Sequence, residues 1–221
     1  MREIVLDTET TGLDPAAGHR IIEIACIELL HHIPTGRDFH RYVNPGRDIP
    51  VDAHDVHGLT EEFLAGHPPF EAIVDDLLAF VGSDPLVIHN AEFDIAFLNA
   101  ELARIGRPIL APTHIDTLTM ARQRFPGAPA SLDALCRRFE IDLSGRAIHG
   151  ARIDCGLLAA VYLELIGGRQ PGLDFAAPEA AVVSAIRIAR APRPHAPSAE
   201  ELAAHEAMLA LITTPLWRAE V

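Results

Sequence analysis

The stretch Ile4–Leu13 reads I-V-L-D-T-E-T-T-G-L and guides the interpretation of the whole chain. The apolar run Glu3–Asp7 predicts a buried first strand, and Thr8–Gly18 predicts the turn region that follows it. Asp7 and Glu9 stand two positions apart where this strand is expected to end, so their side chains point to the same side. Paired carboxylates repel each other unless a cation holds them, and carboxylate oxygens suit Mg²⁺ or Mn²⁺. Taken alone, a D-x-E pair fits a solvated turn with a capping Asp better than a metal site.

The rest of the chain predicts an α/β fold with a mixed five-stranded sheet flanked by helices. Two further strands, Arg20–Leu30 and Asp38–Val43, follow the first in direct succession, and a hairpin-like connection through residues 34–36 favours antiparallel pairing. A short buried strand is predicted at Leu86–His89, and a last short strand is predicted at His114–Asp116. Apolar residues recur at helical spacing in five later segments. These are Pro69–Val81, Phe93–Ile105, Thr117–Phe125, Ser131–Phe139 and Gly150–Ile166.

Composition limits the classes of function. The 221 residues carry 18 basic side chains, all Arg, against 31 acidic ones, which gives a net charge of -13. A protein that grips nucleic acid by bulk charge is therefore excluded, because such grip needs many contacts from Lys or Arg to phosphate. Cys26, Cys136 and Cys155 form no CxxC pair or disulfide framework, so a reducing cytoplasm is expected. No signal peptide and no membrane-spanning stretch is expected.

Two more motifs place carboxylates beside predicted helices. His89–Asp94 reads H-N-A-E-F-D directly after a predicted strand, and Asp94 falls near a helix start, where the helix dipole stabilises negative charge. The alternative is an ordinary acidic first turn. His149–Asp154 reads H-G-A-R-I-D, with His149 just before a helix and Asp154 inside it. This spacing suits a metal-ligating carboxylate beside a histidine general base, although a capping His and a surface Asp are each common.

In combination and in this order, the three motifs resemble those of the DEDDh exonucleases. The resemblance implies an RNase H-like fold, two divalent ions (Mg²⁺ or Mn²⁺) and 3′→5′ removal of nucleotides. It assigns Asp7, Glu9, Asp94 and Asp154 as the metal-binding carboxylates. It assigns His149 as the base that takes the proton from the attacking water.

The chain is similar, more closely, to the proofreading (epsilon) subunits of bacterial DNA polymerase III. V-H-G-L-T at Val56–Thr60, S-L-D-A-L-C at Ser131–Cys136 and A-E-E-L-A-A-H-E-A at Ala199–Ala207 carry this likeness. It implies substrate contacts from Thr10, Thr11, Gly12, Leu13, Asp52, His57, Asn90 and Phe93. Asp52 departs from the family, which often carries Glu there, and a structural histidine at a helix start is the alternative for His57.

The resemblance also divides the chain into functional segments. Residues 1–169 are the expected exonuclease domain, and 170–175 resemble a sliding-clamp motif with Gln170, Leu173 and Phe175 as contacts; packing back onto the chain's own domain is the alternative. Residues 176–197 read as a linker within a largely extended tail. Residues 198–221, with a short helix beginning near Ser198, resemble a polymerase-binding segment; docking onto the chain's own domain is again the alternative. The expected polymerase contacts are Leu202, Leu209, Ile212, Leu216 and Trp217.

The leading prediction is a proofreading 3′→5′ exonuclease that acts on single-stranded 3′ ends of DNA. Its expected partners are the polymerase (alpha) subunit and the sliding clamp, and the resemblance allows a small theta-like accessory subunit. A free-standing exonuclease of RNA or DNA and a mainly structural subunit are the alternatives. The complete set of five active-site residues argues against an inactive scaffold.

Overall fold

A mixed sheet of five strands organises the larger part of the molecule. The computed structural model describes residues 1–144, 149–168 and 196–213. The chain divides into two compact units, Met1–Asp174 and Phe175–Val221. The sheet belongs to the first unit, in the order β3-β2-β1-β4-β5. Its strands are β1 (Arg2–Thr10), β2 (Ile21–Leu30), β3 (Ile33–Tyr42), β4 (Leu86–Ile88) and β5 (His114–Asp116).

The pairing confirms the predicted mixed sheet. Strands β1, β2 and β3 pair antiparallel, whereas β4 is parallel to both β1 and β5. The helices of the first unit agree with the five predicted segments to within about two residues at each end. They are α3 (Phe70–Val81), α4 (Ala91–Arg104), α5 (Thr117–Arg124), α6 (Leu132–Arg138) and α7 (Ala151–Leu165). Two short helices that were not predicted, α1 (Val51–His57) and α2 (Glu61–Leu64), precede them.

The strand alternation of β1 divides the core into two layers. Ile4 and Leu6 pack with the buried side chains of α3 and α4 on one face of the sheet. Val5 packs with α5, α6 and α7 on the other face. Because successive residues of a strand alternate in direction, Asp7 and Glu9 belong to the side of Val5, and Thr8 belongs to the side of Leu6. The core pattern thus fixes where the polar end of β1 points.

The predicted connection between the second and third strands is wrong. Leu30 pairs with Ile33, so the turn consists of His31 and His32, both with positive φ (52° and 66°). Two-residue hairpins favour such a turn because its twist matches that of the strands. Pro34 lies inside β3, which a proline tolerates on an edge strand. The third strand therefore begins five residues earlier than the predicted Asp38.

The second unit contains one described helix, α8 (Ala199–Ala210). Ser198 and Glu201 form a reciprocal capping box at its start, which agrees with the predicted helix beginning near Ser198. The three cysteines are buried and form no disulfide bonds with one another. Among the described residues, no helix is long and apolar enough to cross a membrane.

Candidate active site

The first two carboxylates extend from β1 beyond its pairing with β4. That pairing involves only Ile4 and Val5, while β1 continues to Thr10 against β2 alone. The predicted strand end at Asp7 and turn from Thr8 are therefore wrong by three residues. The consequence for the site is favourable, because Asp7 and Glu9 stand on a rigid strand with one open edge. The capped, solvated turn that a lone D-x-E suggests does not form.

Asp94 reaches the site from the first turn of α4. It is only 3% exposed, and its Oδ1 accepts a 2.7 Å hydrogen bond from the Thr8 hydroxyl. Burial raises the pKa of Asp94 to about 7, although hydrogen bonds from Thr8 and from backbone N–H groups oppose this increase. An ordinary solvated first turn is excluded by this burial. Sequence reasoning missed Thr8, whose role depends on a contact 86 residues away.

His149 and Asp154 come from the N-terminal end of α7. Asp154 is 5% exposed, so it is not a surface residue. Gly150, and not His149, is the residue that caps α7, and it offers no side chain for capping. The His149 side chain is about half exposed, with Nδ1 3.5 Å from Oδ2 of Asp154. Its backbone N–H donates to the carbonyl of Val56 at 3.3 Å, which ties the segment to α1.

These side chains form one cluster of negative charge. One oxygen each of Glu9 and Asp154 and one ring nitrogen of His149 lie within 4.8 Å of one another. The pKa of Asp7 lies well above its usual value because burial removes water from the carboxylate and because four carboxylates surround it. Those four are Asp94, Glu9, Asp154 and Glu23. The cluster is thus arranged to receive positive charge.

A cavity of about 600 Å³ adjoins the cluster at Glu9. Its volume is in the range of pockets that hold small ligands. Leu13 is 85% exposed at the cavity, an unusual position for a large apolar side chain. Seven of the eight predicted substrate residues line this cavity: Thr10, Thr11, Gly12, Leu13, Asp52, His57 and Phe93. The five charged or ionisable residues and these seven therefore meet in one region.

Asn90 is the predicted substrate residue that does not line the cavity. It precedes α4 in the left-handed region (φ 71°, ψ 57°), which Asn tolerates better than most residues. Its backbone N–H donates to Oδ1 of Asp116 at 3.0 Å. The described contacts of Asn90 therefore hold the turn that leads from β4 into α4, and through it they support the position of Asp94.

The loop after β1 is held by its own hydrogen bonds. The Thr10 hydroxyl donates to the carbonyl of Gly12 at 2.6 Å. The Thr11 N–H donates to the Arg20 carbonyl at 2.9 Å, so this N–H is already engaged within the protein. A Cβ at Gly12 would overlap the His19 imidazole. Any larger residue at position 12 would force this ring to move, and sequence reasoning missed this contact as well.

Helix α1 forms one wall of the cavity and carries Asp52 and His57. His57 ends this helix, whereas the structural alternative placed it at a helix start. Its ring is buried, Nδ1 accepts the Leu59 N–H at 3.0 Å, and Nε2 has no hydrogen-bond partner among the described residues. Burial, followed by the nearby His54, lowers the pKa of His57. A neutral ring that accepts at Nδ1 carries its proton on Nε2, so His57 offers a buried donor.

The structure describes only some of the predicted contact residues of the tail. Gln170, Leu173 and Phe175 of the clamp motif, and Leu216 and Trp217, lie outside the described residues. Of the other predicted polymerase contacts, Leu202 and Ile212 are exposed and Leu209 is buried.

The chain is similar in sequence to a known protein family. The family model described as "Exonuclease" matches residues 4–162, which include every residue of the cluster. The DNA polymerase III subunit epsilon of Rickettsia felis is 55% identical over 77% of this chain and 76% of its own length. The subunit epsilon of Escherichia coli K12 is 41% identical over 99% of this chain and 98% of its own. The chain belongs to the exonuclease family of DNA polymerase III epsilon subunits.

Solved structures support the same fold. Exonuclease X in complex with 5′-overhanging duplex DNA matches with a TM-score of 0.59 and 27% identity, over 74% of this chain and 90% of that one. The nuclease domain of 3′hExo, a DEDDh family member bound to rAMP, matches with a TM-score of 0.63 and 18% identity, over 75% and 91%. The predicted RNase H-like architecture is thereby confirmed.

Proposed function

We propose that the chain is a metal-dependent 3′→5′ exonuclease that removes mismatched nucleotides from DNA 3′ ends as the proofreading subunit of a replicative polymerase. The observation that carries this proposal is the convergence of four buried or half-buried carboxylates and one half-exposed histidine beside a nucleotide-sized cavity. The five groups come from three separate parts of the chain: β1, the first turn of α4, and the N-terminal end of α7 with the residues just before it. Membership of the epsilon-subunit family supports the link to replication.

The carboxylate cluster fits divalent ions. Oxygen donors are the ligands that Mg²⁺ and Mn²⁺ prefer. The pKa of Asp7 is raised first by burial and then by the neighbouring carboxylates, whose negative charge a cation would neutralise. Asp7, Glu9, Asp94 and Asp154 would hold the ions, with Asp7 contributing both on the side of Glu9 and Asp154 and on the side of Asp94. The ions supply electrostatic stabilisation of the charge that develops on the scissile phosphate.

The protein's own groups act on the attacking water and the strand end. His149 accepts the proton from the water as its oxygen attacks phosphorus. The bond from phosphorus to the 3′ oxygen of the preceding nucleotide breaks, and that oxygen takes a proton from solvent to become the new 3′ hydroxyl. Half exposure of the imidazole allows it to pass this proton to solvent. The backbone bond from His149 to Val56 fixes the start of the catalytic segment against α1.

The cavity would hold the terminal nucleotide. The protonated Nε2 of His57 is a buried donor for a sugar or phosphate oxygen. Asp52, exposed on the same helix, would contact the 3′ hydroxyl through a shorter side chain than the family's Glu. Exposed Leu13 would wedge against the terminal base, and Phe93 would form the opposite wall.

The tail supplies the proposed tethers. Gln170, Leu173 and Phe175 would dock in the sliding clamp, and the segment from Ser198, with Leu202, Leu209, Ile212, Leu216 and Trp217, would bind the polymerase subunit. Exposed Leu202 and Ile212 support this proposal, because a helix as short as α8 is marginal unless its apolar side chains are buried. A theta-like accessory subunit remains a prediction.

Digestion of labelled primers tests the function. With Mg²⁺, we expect stepwise release of nucleotides from the 3′ end, with a mismatched DNA end degraded faster than a matched one because it frays into a single strand. An RNA primer of the same sequence serves as the comparison. Faster digestion of RNA than of DNA would favour a free-standing RNA exonuclease, and the absence of any hydrolysis would refute the proposal.

Removal of the tail tests the tether. We expect a variant ending at Ala176 to keep the wild-type rate on free mismatched ends but to lose stimulation by the polymerase. Tethering raises the effective concentration of the DNA end, and the gain reaches about 10²-fold or more. A second variant is Leu202→Ala in the full chain. It should also weaken the association with the polymerase and leave the basal rate unchanged. Retained stimulation of the shortened variant would contradict the role of the segment.

A further inference from the structure

A fifth carboxylate, Glu23 on β2, lies beside the cluster and has no place in the mechanism above. Its Cα pairs with that of Glu9 on β1 and with that of Tyr42 on β3. Residues directly opposite each other in antiparallel strands share a face of the sheet. Glu9, Glu23 and Tyr42 therefore form a row on the face that α7 covers. Glu23 is only 3% exposed.

The position of Glu23 is unfavourable for a residue that serves only stability. Like charges directly opposite in a sheet destabilise it, and Glu23 stands opposite Glu9. Burial of a further carboxylate near this cluster adds a desolvation cost. A glutamine of nearly the same shape would avoid both costs. The negative charge itself therefore needs an explanation.

One oxygen of Glu23 is held by a histidine. Nε2 of His40 lies 2.7 Å from Oε1 of Glu23, and the His40 ring packs edge-on against Tyr42 with centroids 4.8 Å apart. Most of the His40 side chain is buried, with 23% exposed. This pair fixes the direction of the Glu23 carboxylate.

The other oxygen of Glu23 faces the start of α7. A Cβ built on Gly150 would lie 4.0 Å from Oε2 of Glu23. Gly150 caps α7 without a side chain, so the first N–H groups of this helix receive no capping bond from it. A carboxylate near a helix N-terminus is favourable because it complements the positive end of the helix dipole. His149 immediately precedes Gly150, and Asp154 lies in the first turn of the helix.

We propose that Glu23, oriented by His40, is a positioning residue that holds the N-terminal end of α7 and thereby sets the placement of His149 and Asp154. This role rests on the proposed function, because it concerns the same site. Glu23 does not touch the substrate; it acts through the backbone around Gly150. Such supporting contacts to active-site groups contribute about 10- to 100-fold to activity or metal affinity.

Charge removal at Glu23 tests the proposal. In full-length Glu23→Gln, we expect kcat on a mismatched 3′ end to fall about tenfold or more. The KM should change by less than about twofold, because placement of His149 acts on the transition state and not on binding of the DNA end. The melting temperature in EDTA should not fall, since the variant removes repulsion from Glu9. His40→Ala should lower kcat as well, and the double variant should be no worse than Glu23→Gln, because both act through one carboxylate.

A matched control exists on the same strand. Glu28 is also buried and also ion-paired, with Arg2 and Arg37, but it lies at the other end of β2. Glu28→Gln should lower the melting temperature and leave kcat unchanged. A wild-type kcat in Glu23→Gln would overturn the positioning role. So would a loss of activity in this variant that only parallels a lower melting temperature.

A second measurement needs no activity. In metal-free protein, the NMR signal of the His149 Cε1–H group should shift in Glu23→Gln and stay unchanged in Glu28→Gln. An unchanged His149 signal in Glu23→Gln would refute the inference on its own. If the wild type showed no hydrolysis, the proposed function would fail, whereas an active wild type with an equally active Glu23→Gln variant would refute only the role of Glu23.

Discussion

His149→Ala is expected to lose nearly all hydrolysis of DNA 3′ ends while it keeps the fold. Removal of a general base lowers rates by about 10²- to 10⁴-fold. Among the described residues, the cluster of Glu9, His149 and Asp154 contains no second imidazole that could take over this role. The backbone bond from residue 149 to Val56 does not depend on the side chain, and half of the imidazole is already exposed. The melting temperature should therefore change little. Initial rates on a labelled, mismatched primer with Mg²⁺ measure the effect.

His114→Ala provides the matched control, because His114 is an exposed histidine on β5 and takes no part in the proposed chemistry. Its rate should equal that of the wild type. A folded His149→Ala variant with normal turnover would refute the assignment of His149 as the base. Only the assignment of the metal-binding carboxylates would then remain.

The fold could be predicted because local patterns and tertiary structure agree in most elements. The helical spacing of Phe70, Ile73 and Leu77 reflects one buried face of α3, and the short apolar run of β4 is a buried strand. The turn at His31 and His32 could not be predicted in this way. A His-His pair is not one of the glycine-containing pairs that signal a two-residue hairpin, whereas Pro34 and Gly36 resemble a turn but lie in an edge strand. Pairing with β2, which is non-local, determines that choice.

The residues of the candidate site likewise divide into those that the sequence predicts and those whose role depends on the folded structure. Asp7, Glu9, Asp94, His149 and Asp154 could be proposed from the sequence because their motifs, in this order, resemble those of the DEDDh exonucleases. Glu23 could not, although a lone Glu in the apolar run I-I-E-I is visible in the sequence. Its meaning depends on the register of β2 against β1, which puts it opposite Glu9. Thr8 and His19 depend likewise on contacts made only in the folded protein.

The net charge of -13 is consistent with a nuclease that does not capture DNA by itself. Several carboxylates belong to a cluster that divalent ions would neutralise, and the remaining acidity disfavours contact with phosphate. Indiscriminate removal of 3′ ends would harm replication. A protein that depends on tethering to polymerase and clamp would act mainly where a frayed end is presented to it.

The carboxylate cluster makes metal-free stability depend on pH in a defined direction. The pKa of Asp94 is about 7 in the folded protein, compared with about 4 for an unfolded Asp. Between these values the folded state binds more protons than the unfolded state, so stability falls as pH rises through this window. In EDTA, the melting temperature should therefore decrease from pH 5 to pH 8. Mg²⁺ should reverse the decrease, because it binds the ionised carboxylates of the folded state.

Asp7→Asn should separate stability from activity at this cluster. The pKa of Asp7 is raised well above its usual value by burial and by neighbouring carboxylates, so loss of its charge relieves repulsion in the metal-free protein. We expect the melting temperature in EDTA at pH 8 to rise by about 3 °C or more. Hydrolysis should fall by about 10³-fold or more, because metal-supplied stabilisation of the transition state amounts to several kcal/mol.

Asp76→Asn, at an exposed position on α3, is the matched control and should alter neither quantity. Mg²⁺ should raise the melting temperature of this control as it does that of the wild type, but should have little effect on Asp7→Asn. A metal-free Asp7→Asn variant less stable than the wild type would contradict the proposed repulsion. It would mean that the carboxylates are held by positive groups of the protein itself, and the argument for divalent ions at β1 would lose its physical basis.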